Sequence, residues 1–332
     1  MKIAKFFLFI FISLFSSSYA DVNLEFEKWK NNFKIIALSN NISEKTFNIA
    51  IKNTKYLPNV IKYDRYQPEF YEDTKTYISK RTSTKKLEKG LNFFSRNKEL
   101  INTIEIKFDI EKELLLALMG IETNFGKYLG KMDIISSLAT LSFDKRRSAF
   151  FKNELLTLLS LLDRQIITKE ELYGSWAGAF GNFQFMPSTI KNYALDYNKN
   201  ANIELKEIED SFASAANYIN KIGWKKNQPC FYKVELKGNI PLKYLNTSAK
   251  KIKNKKKLKF FKKYLKNNQN MLLNENVITA IVTPDKDIIP GSNTLKPAYL
   301  VFSNYEKVLK WNRSLRFAIA VCTLKNMFKN EI

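Results

Sequence analysis

Apolar residues recur at helical spacing along the first two thirds of the chain. Phe26, Trp29, Phe33 and Ile36 form one stripe, and Phe151, Leu155, Leu158 and Leu162 form another. Separations of three and four residues put side chains on one face of an α-helix. Tyr56-Leu57-Pro58-Asn59 and Gln67-Pro68 interrupt the early helices, because proline cannot continue the backbone ladder. From Asp21 to about Trp224 the pattern predicts mostly helix. Beyond Trp224 it changes: residues 230–236 and 276–283 predict short strands, while Pro284 and Pro290-Gly291 predict turns. Residues 311–328 predict a closing helix with Phe317, Val321 and Leu324 on one face. No repeat at solenoid periods is present.

One polar residue breaks an otherwise apolar helical face. Leu115, Leu118, Glu122 and Phe125 share a face at the end of the run Glu113-Leu-Leu-Leu-Ala-Leu-Met119, so a carboxylate stands where a leucine is expected. Burial disfavours the charged form. The pattern therefore predicts a raised pKa for Glu122 and a proton held for donation near neutral pH, which is what a general acid needs. The structural alternative is a buried glutamate neutralised by Arg146 or Arg147.

The formal charge is +23, or +21 without Lys2 and Lys5, which implies an anionic partner: nucleic acid, acidic lipid or an acidic wall polymer. The first twenty residues read as a signal peptide. Lys2 and Lys5 precede an apolar run from Phe6 to Phe15 that is too short to span a bilayer, and Ser18-Tyr19-Ala20 places small residues at the cleavage positions. Cleavage near Ala20 would leave a soluble, exported chain of about 310 residues beginning at Asp21. Export makes nucleic acid the least expected partner. No cysteine follows the apolar run, so a lipid anchor is not indicated. The sequence has no histidine, which removes Ser-His-Asp and Cys-His catalysis and histidine-ligated metal centres. The two cysteines, Cys230 and Cys322, are compatible with a disulfide or with two buried thiols.

Two further segments stand out. Residues 173–188, Tyr-Gly-Ser-Trp-Ala-Gly-Ala-Phe-Gly-Asn-Phe-Gln-Phe-Met-Pro-Ser, mix glycines, aromatic rings and the amides of Asn182 and Gln184. Flat apolar faces with amides suit a sugar site; the alternative is a glycine-rich turn packed on a helix. No Lys-Ser or Lys-Thr pair follows the glycines, which argues against a phosphate loop. Residues 250–266 carry ten lysines interleaved with Leu258, Phe260, Phe261 and Tyr264. This segment predicts either a contact with anionic membrane or wall polymer, or a solvated lysine face.

Taken together, these segments resemble the lytic transglycosylase B family, bacterial enzymes that cut peptidoglycan glycan strands. Gly120 to Gly126 matches Gly-x-Glu-(Ser/Thr)-x-(Phe/Trp)-Gly, and Gly174 to Ser188 matches the second motif ending in Gln-Phe-Met-Pro-Ser. Ala216-Asn217-Tyr218 with Gly223-Trp224, Pro297-Ala-Tyr-Leu-Val, Trp311-Asn312-Arg313-Ser314 and Asp64-Arg65-Tyr66-Gln67-Pro68-Glu69-Phe70 also fit. The resemblance implies a mainly α (α+β) fold: a lysozyme-like helical core with a degenerate EF-hand-like loop and a small strand-containing C-terminal region. It divides the chain into a signal peptide (1–20), an N-terminal helical region (21–95) and a catalytic core (96–228). A strand-containing region with the lysine-rich insertion (229–296) and a C-terminal segment returning to the core (297–332) follow.

The resemblance also implies the site. Glu122 corresponds to the single catalytic acid/base; Ser175, Gln184, Tyr218 and Asn312 correspond to residues lining the glycan cleft. Phe317 falls where some members carry a cleft tyrosine, keeping a stacking face without the hydroxyl. The implied reaction cleaves the N-acetylmuramic acid to N-acetylglucosamine bond and closes a 1,6-anhydro ring without water, by a monomer that requires no cofactor. A calcium loop is implied at Asp196, Asn198, Asn200, Asn202 and Asp210. Oxygen side chains at alternate positions suit Ca2+, but asparagines replace aspartates and Lys199 adds positive charge, so a metal-free loop is the alternative. Against the transglycosylase stand a hydrolytic muramidase using Asp133 or Asp144 as second carboxylate, a non-catalytic basic peptidoglycan-binding protein, and a nucleic-acid-binding protein.

Overall fold

Short polar side chains set the starts of several helices. Ser43, Asp73, Ser83, Asp133 and Ser314 each accept a hydrogen bond from a first-turn backbone N–H that would otherwise have no partner. The structure is a computed structural model that describes residues 3–67, 71–266, 274–286, 291 and 295–332, with side chains described from residue 21 onward. The leader reading rests on the side chains of residues 1–20, which lie outside the described ones, as do Pro68 to Phe70 and Pro290.

In chain order the helices are α1 (Ile3–Ser39), α2 (Glu44–Ile51), α3 (Pro58–Arg65), α4 (Thr74–Arg81), α5 (Thr84–Arg96), α6 (Lys98–Phe108), α7 (Lys112–Thr123), α8 (Ile134–Phe143), α9 (Ser148–Asp163), α10 (Pro187–Tyr193), α11 (Ile208–Lys221), α12 (Leu258–Lys262), α13 (Ser303–Trp311) and α14 (Leu315–Lys329). The strands are β1 (Met132–Asp133), β2 (Tyr173–Gly174), β3 (Phe231–Val234), β4 (Leu245–Asn246), β5 (Lys256–Lys257), β6 (Ile278–Val282) and β7 (Ala298–Val301). The protein is mainly helical with a small sheet. Both apolar stripes pack as the periodicity predicts: Phe26 and Phe33 of α1 are buried, with Trp29 stacked between them, and Phe151, Leu155 and Leu158 of α9 are buried. The closing helix is shorter than predicted. Trp311 ends α13, residues 312–314 are not helical, and the Ser314 hydroxyl caps a new helix at Leu315.

The main core runs from Phe26 to Phe328 and centres on α7, whose residues Leu114 to Gly120 are all buried. The sheet, ordered β3-β7-β6-β4 with β5 also on β6, separates this core from a second one. Alternation along the strands does this. Ala280, Val282, Tyr299 and Val301 face the main core, while Ile281, Ala298 and Leu300 face the second. The lysine-rich segment completes that second core: Leu258, Phe261 and Leu265 are buried against the sheet, and nine of its ten lysines are exposed. Its apolar positions are thus structural, and its charges are displayed outward.

Cys230, next to β3, forms a disulfide with Cys322 of α14, resolving the pair of readings left by the sequence. The bridge closes a 92-residue separation, for which chain-entropy arguments give about 4–5 kcal/mol and typical measurements about 2–4 kcal/mol. It fastens the sheet to the helix that packs on α7.

Six acidic residues are buried among the described residues: Asp64, Glu111, Glu154, Glu171, Asp210 and Asp285. Five are held by several donors. Asp64 pairs with Arg146 and Arg147, which assigns those arginines to Asp64 and removes them as the neutralising partners of Glu122. Glu111 accepts from Trp224, Asn227 and Lys325; Glu154 accepts from the N–H and hydroxyl of Ser188; Asp210 accepts from loop N–H groups; Asp285 accepts from Thr74 and Arg316. Glu171 is the exception. Its Oε2 has no hydrogen-bond partner, and Lys206 stands 3.6 Å away. Burial raises its pKa above the ordinary carboxylate value, with Lys206 opposing. A raised folded-state pKa in an acid means that the unfolded chain releases the proton first, so this group loses stability as pH rises through the carboxylate range. Glu171→Gln is therefore expected to melt higher than the parent at pH 7. The difference should shrink as pH falls below the unfolded value near 4.5; thermal melts across about pH 3.5–7, in steps of about half a unit, check this.

Candidate functional site

The Gly120–Gly126 motif builds a turn whose every side chain has a mechanical reason. α7 ends at Thr123, and Asn124 and Phe125 follow in the left-handed region at φ 52° and 58°. This corrects the single helical face drawn from Leu115 to Phe125: Phe125 lies beyond the helix. The reversal folds its ring back beneath the helix, where it is buried against Phe93 and Phe328. The ring occupies the space a side chain at Gly120 would need, since a Cβ there would lie 2.8 Å from Phe125 Cζ. The Thr123 hydroxyl accepts from Gly126 N–H at 3.1 Å and donates to the Asn182 carbonyl at 2.8 Å, tying the turn to the glycine-rich loop.

Glu122 thus sits in the last turn of a rigid helix. It is half-buried, more open than the predicted apolar stripe implies, and its Oε1 accepts from Trp311 Nε1 at 2.9 Å. Two lysines that sequence reasoning did not single out hold the same helix end: Lys86 Nζ donates to Gly120 O at 2.9 Å and Lys89 Nζ to Asn124 O at 2.6 Å. Cations there satisfy terminal carbonyls and oppose the negative end of the helix dipole. Trp311 was visible only as part of a late motif. Its role emerges because α13 ends at this residue beside α7.

An aromatic ladder leads away from Glu122. Trp311 stacks on Tyr218 with centroids 5.0 Å apart, and Tyr218 stacks on Tyr193 at 4.3 Å. Phe183 and Phe185 meet Trp311 edge-on. The Tyr218 hydroxyl donates to Lys310 O, and burial, helped by Tyr193, pushes its pKa up to about 12. Tyr218 is therefore a neutral, fixed wall at working pH, not a proton carrier.

The glycine-rich loop starts at the β1–β2 pair. Ser175 Oγ accepts from Ala179 N–H and so holds the loop's tight turn. Gly178, at φ 87°, lies against Leu138, where a Cβ would come within 2.4 Å. Gln184, itself left-handed, donates through Nε2 to Leu129 O and Gly181 O. It thus fastens this loop to the segment following Glu122. Asn312 directly follows Trp311 and is half-buried. Phe317 departs from its expected place. It is 3 % exposed and packs in the main core, which leaves almost no face for a sugar ring. Asp133 caps α8, and Asp144 pairs with Arg65, so both candidate second carboxylates have structural duties.

The Asp196–Asp210 loop turns its oxygens onto its own backbone. Asp196 accepts from Asn200 and Ala201 N–H, Asn198 from Asn200, Asn200 from Asn202, and Asp210 from Tyr197, Asn198 and Glu204. Lys199 and Ala201 take left-handed φ. Calcium needs six to eight oxygens aimed at one centre. Among the described residues no three acidic groups converge on a point, so carboxylate charge at this loop is thin.

Glu122 opens on a cavity of about 670 Å³ formed with α5 and the turn residues Asn124, Lys127 and Tyr128. A second cavity of about 600 Å³, between α2 and α9, contains one acid, Asp163, which is bound by Ser43.

Residues 25–326 match the family described as Transglycosylase SLT domain. Over 151 residues the chain is 34% identical to membrane-bound lytic murein transglycosylase B of Escherichia coli (strain K12); the match takes in 45% of this chain and 42% of that protein, less than half its length. The crystal structure of SltB3 from Pseudomonas aeruginosa in complex with NAG-anhNAM-pentapeptide superposes with a TM-score of 0.79 at 28% identity, covering 92% of this chain and 79% of that one. The Escherichia coli lytic transglycosylase Slt35 in complex with calcium shares the fold alone (TM-score 0.75, 23% identity, 91% and 93% covered).

The close approach at Gly120 yields a direct test. Gly120→Ala is expected to destabilise the protein by about 1–3 kcal/mol through overpacking against Phe125, measured by urea unfolding.

Proposed function

Because the chain belongs to the Transglycosylase SLT domain family, we propose that it is a peptidoglycan lytic transglycosylase in which Glu122 serves first as acid and then as base. The observation that carries this reading is Glu122 itself. It stands at the end of a buried helix, oriented by an indole N–H, beside a cavity of substrate size. The two candidate second carboxylates, Asp133 and Asp144, are occupied in a helix cap and an ion pair, which speaks against a two-carboxylate hydrolase.

Protonated Glu122 donates to the oxygen linking N-acetylmuramic acid to N-acetylglucosamine as the bond to the anomeric carbon breaks. The 2-acetamido oxygen of the muramic residue bonds to that carbon and carries the positive charge. Glu122, now a carboxylate, takes the proton from the same sugar's 6-hydroxyl. The 6-oxygen then displaces the acetamido oxygen, closing a 1,6-anhydro ring and returning Glu122 to its protonated form. No water is consumed. Trp311 keeps the carboxyl aimed through both proton transfers, and the half-buried Trp311 and Tyr193 at the two ends of the ladder offer aromatic surface to the glycan. Gln184 and Ser175 hold the glycine-rich loop, and we assign that loop, together with Asn312, to the glycan cleft.

This reading places the mature chain, cut near Ala20, in the periplasm. Among the described residues no helix is long and apolar enough to cross a membrane. The exposed lysines of residues 250–266 support contact with anionic wall polymer or membrane. Glu122→Gln keeps the shape and the hydrogen-bonding capacity of the side chain but has no proton to give. It should reduce release of muropeptides from purified sacculi by about a thousandfold or more, with an unchanged melting curve and retained sacculus binding. Full activity in this variant would refute the role of Glu122; a wild-type chain that binds sacculi but releases no muropeptides would favour the non-catalytic reading.

A further inference from the structure

The segment that closes the second core carries ten lysines in residues 250–266 and no acidic residue. Lys255 and Lys262 are ion-paired, with Glu306 and Glu275; among the described residues the other eight form no ion pair. The positive charge is thus largely unmatched within the protein, and like charges so crowded favour the approach of an anionic surface. No arginine lies between Arg164 and Arg313. Ammonium groups are compact point charges on flexible stems, without the planar fork that grips one carboxylate or phosphate bidentately. Such a set suits a broad field of negative charge rather than one small ligand.

An aromatic cluster emerges among these lysines. Tyr244, Phe260 and Tyr264 are half-buried at the outer margin of the second core. Phe260 meets both tyrosines edge-on, with centroids 5.1 Å from Tyr244 and 5.9 Å from Tyr264. The crossed rings present no common flat face on which a sugar could stack. Ammonium groups surround them. Lys243 Nζ stands 5.4 Å from the Tyr244 ring, Lys256 Nζ 6.0 Å from Phe260, and Lys263 Nζ 4.9 Å from both Phe260 and Tyr264. Leu242, two residues before Tyr244, is 60 % exposed. Hydrated wall polymer offers charge to the lysines but no apolar phase to these side chains. A bilayer surface offers both: anionic headgroups, and beneath them the boundary region in which aromatic rings and leucine settle.

We propose that this face docks the protein on anionic phospholipid bilayers, the lysines meeting headgroups while Leu242, Tyr244, Phe260 and Tyr264 enter the interface. The inference rests on the charge-contact reading of residues 250–266 and adds which surface they meet and which side chains enter it. None of these residues lines the cavity beside Glu122, so lipid contact leaves that cavity unoccupied.

The test is flotation with vesicles of phosphatidylcholine alone and of phosphatidylcholine mixed with phosphatidylglycerol. It uses the processed chain beginning at Asp21, which keeps every described core residue and removes the apolar leader. The wild type is expected to float with the acidic vesicles only, and rising salt should release it. Lys243→Gln/Lys256→Gln/Lys257→Gln/Lys263→Gln, at exposed positions, should weaken partition by about a hundredfold or more. The corresponding arginine variant should retain it. Leu242→Gln should weaken partition by about tenfold and leave binding to purified sacculi unchanged, with an unaltered melting curve showing that it is folded. Equal flotation with both vesicles, or a partition that the glutamine set leaves unchanged, overturns the proposal. Sacculus binding weakened by Leu242→Gln as much as vesicle binding also overturns it, in favour of wall polymer. Flotation reads no catalysis, so its outcome is independent of the role given to Glu122.

Discussion

Two successive left-handed residues, Asn124 and Phe125, determine where the Glu122 carboxyl stands. Each costs about 1 kcal/mol or more in a non-glycine residue, and the surroundings over-determine both. The Phe125 ring fills the space left by Gly120, the Thr123 hydroxyl bridges to the glycine-rich loop, and Lys86 and Lys89 hold the last carbonyls of α7. Trp311 then fixes the carboxyl from the opposite side. Loosening any of these contacts moves the acid to which we assign the chemistry.

The rest of the fold serves that placement. α7 is buried from Leu114 to Gly120 and packs on α14, which the disulfide to Cys230 ties to the sheet. The sheet carries residues of both cores on alternating positions, so the lysine-rich segment can close a second core through Leu258, Phe261 and Leu265 while Ile252 joins the first. Five of the six buried acids among the described residues are held by several donors, so they act as fixed structural groups.

Much of this was legible in the sequence because periodicity reports burial. The stripes on α1 and α9, the strands near residues 230 and 280, and the proline break before α3 all follow from local pattern. Glu122 was visible as a carboxylate on an apolar face, and the glycine-rich loop by composition. What periodicity cannot show is where a chain reverses. Phe125 continued the helical stripe by spacing yet lies beyond the helix end, and Trp311, which the pattern puts at the start of the closing helix, ends the one before it. Phe317 matched a motif position, but its burial depends on how α14 packs. Lys86 and Lys89 looked like ordinary surface lysines; only the meeting of α5 with the end of α7, over thirty residues later, gives them work.

The central claim is that one carboxyl moves the proton twice and the sugar's own hydroxyl replaces water. Digestion of sacculi in water enriched in oxygen-18, followed by mass analysis of the released muropeptides, tests it most directly. The account predicts 1,6-anhydro products with no label at the anomeric carbon; reducing ends carrying one labelled oxygen would contradict it.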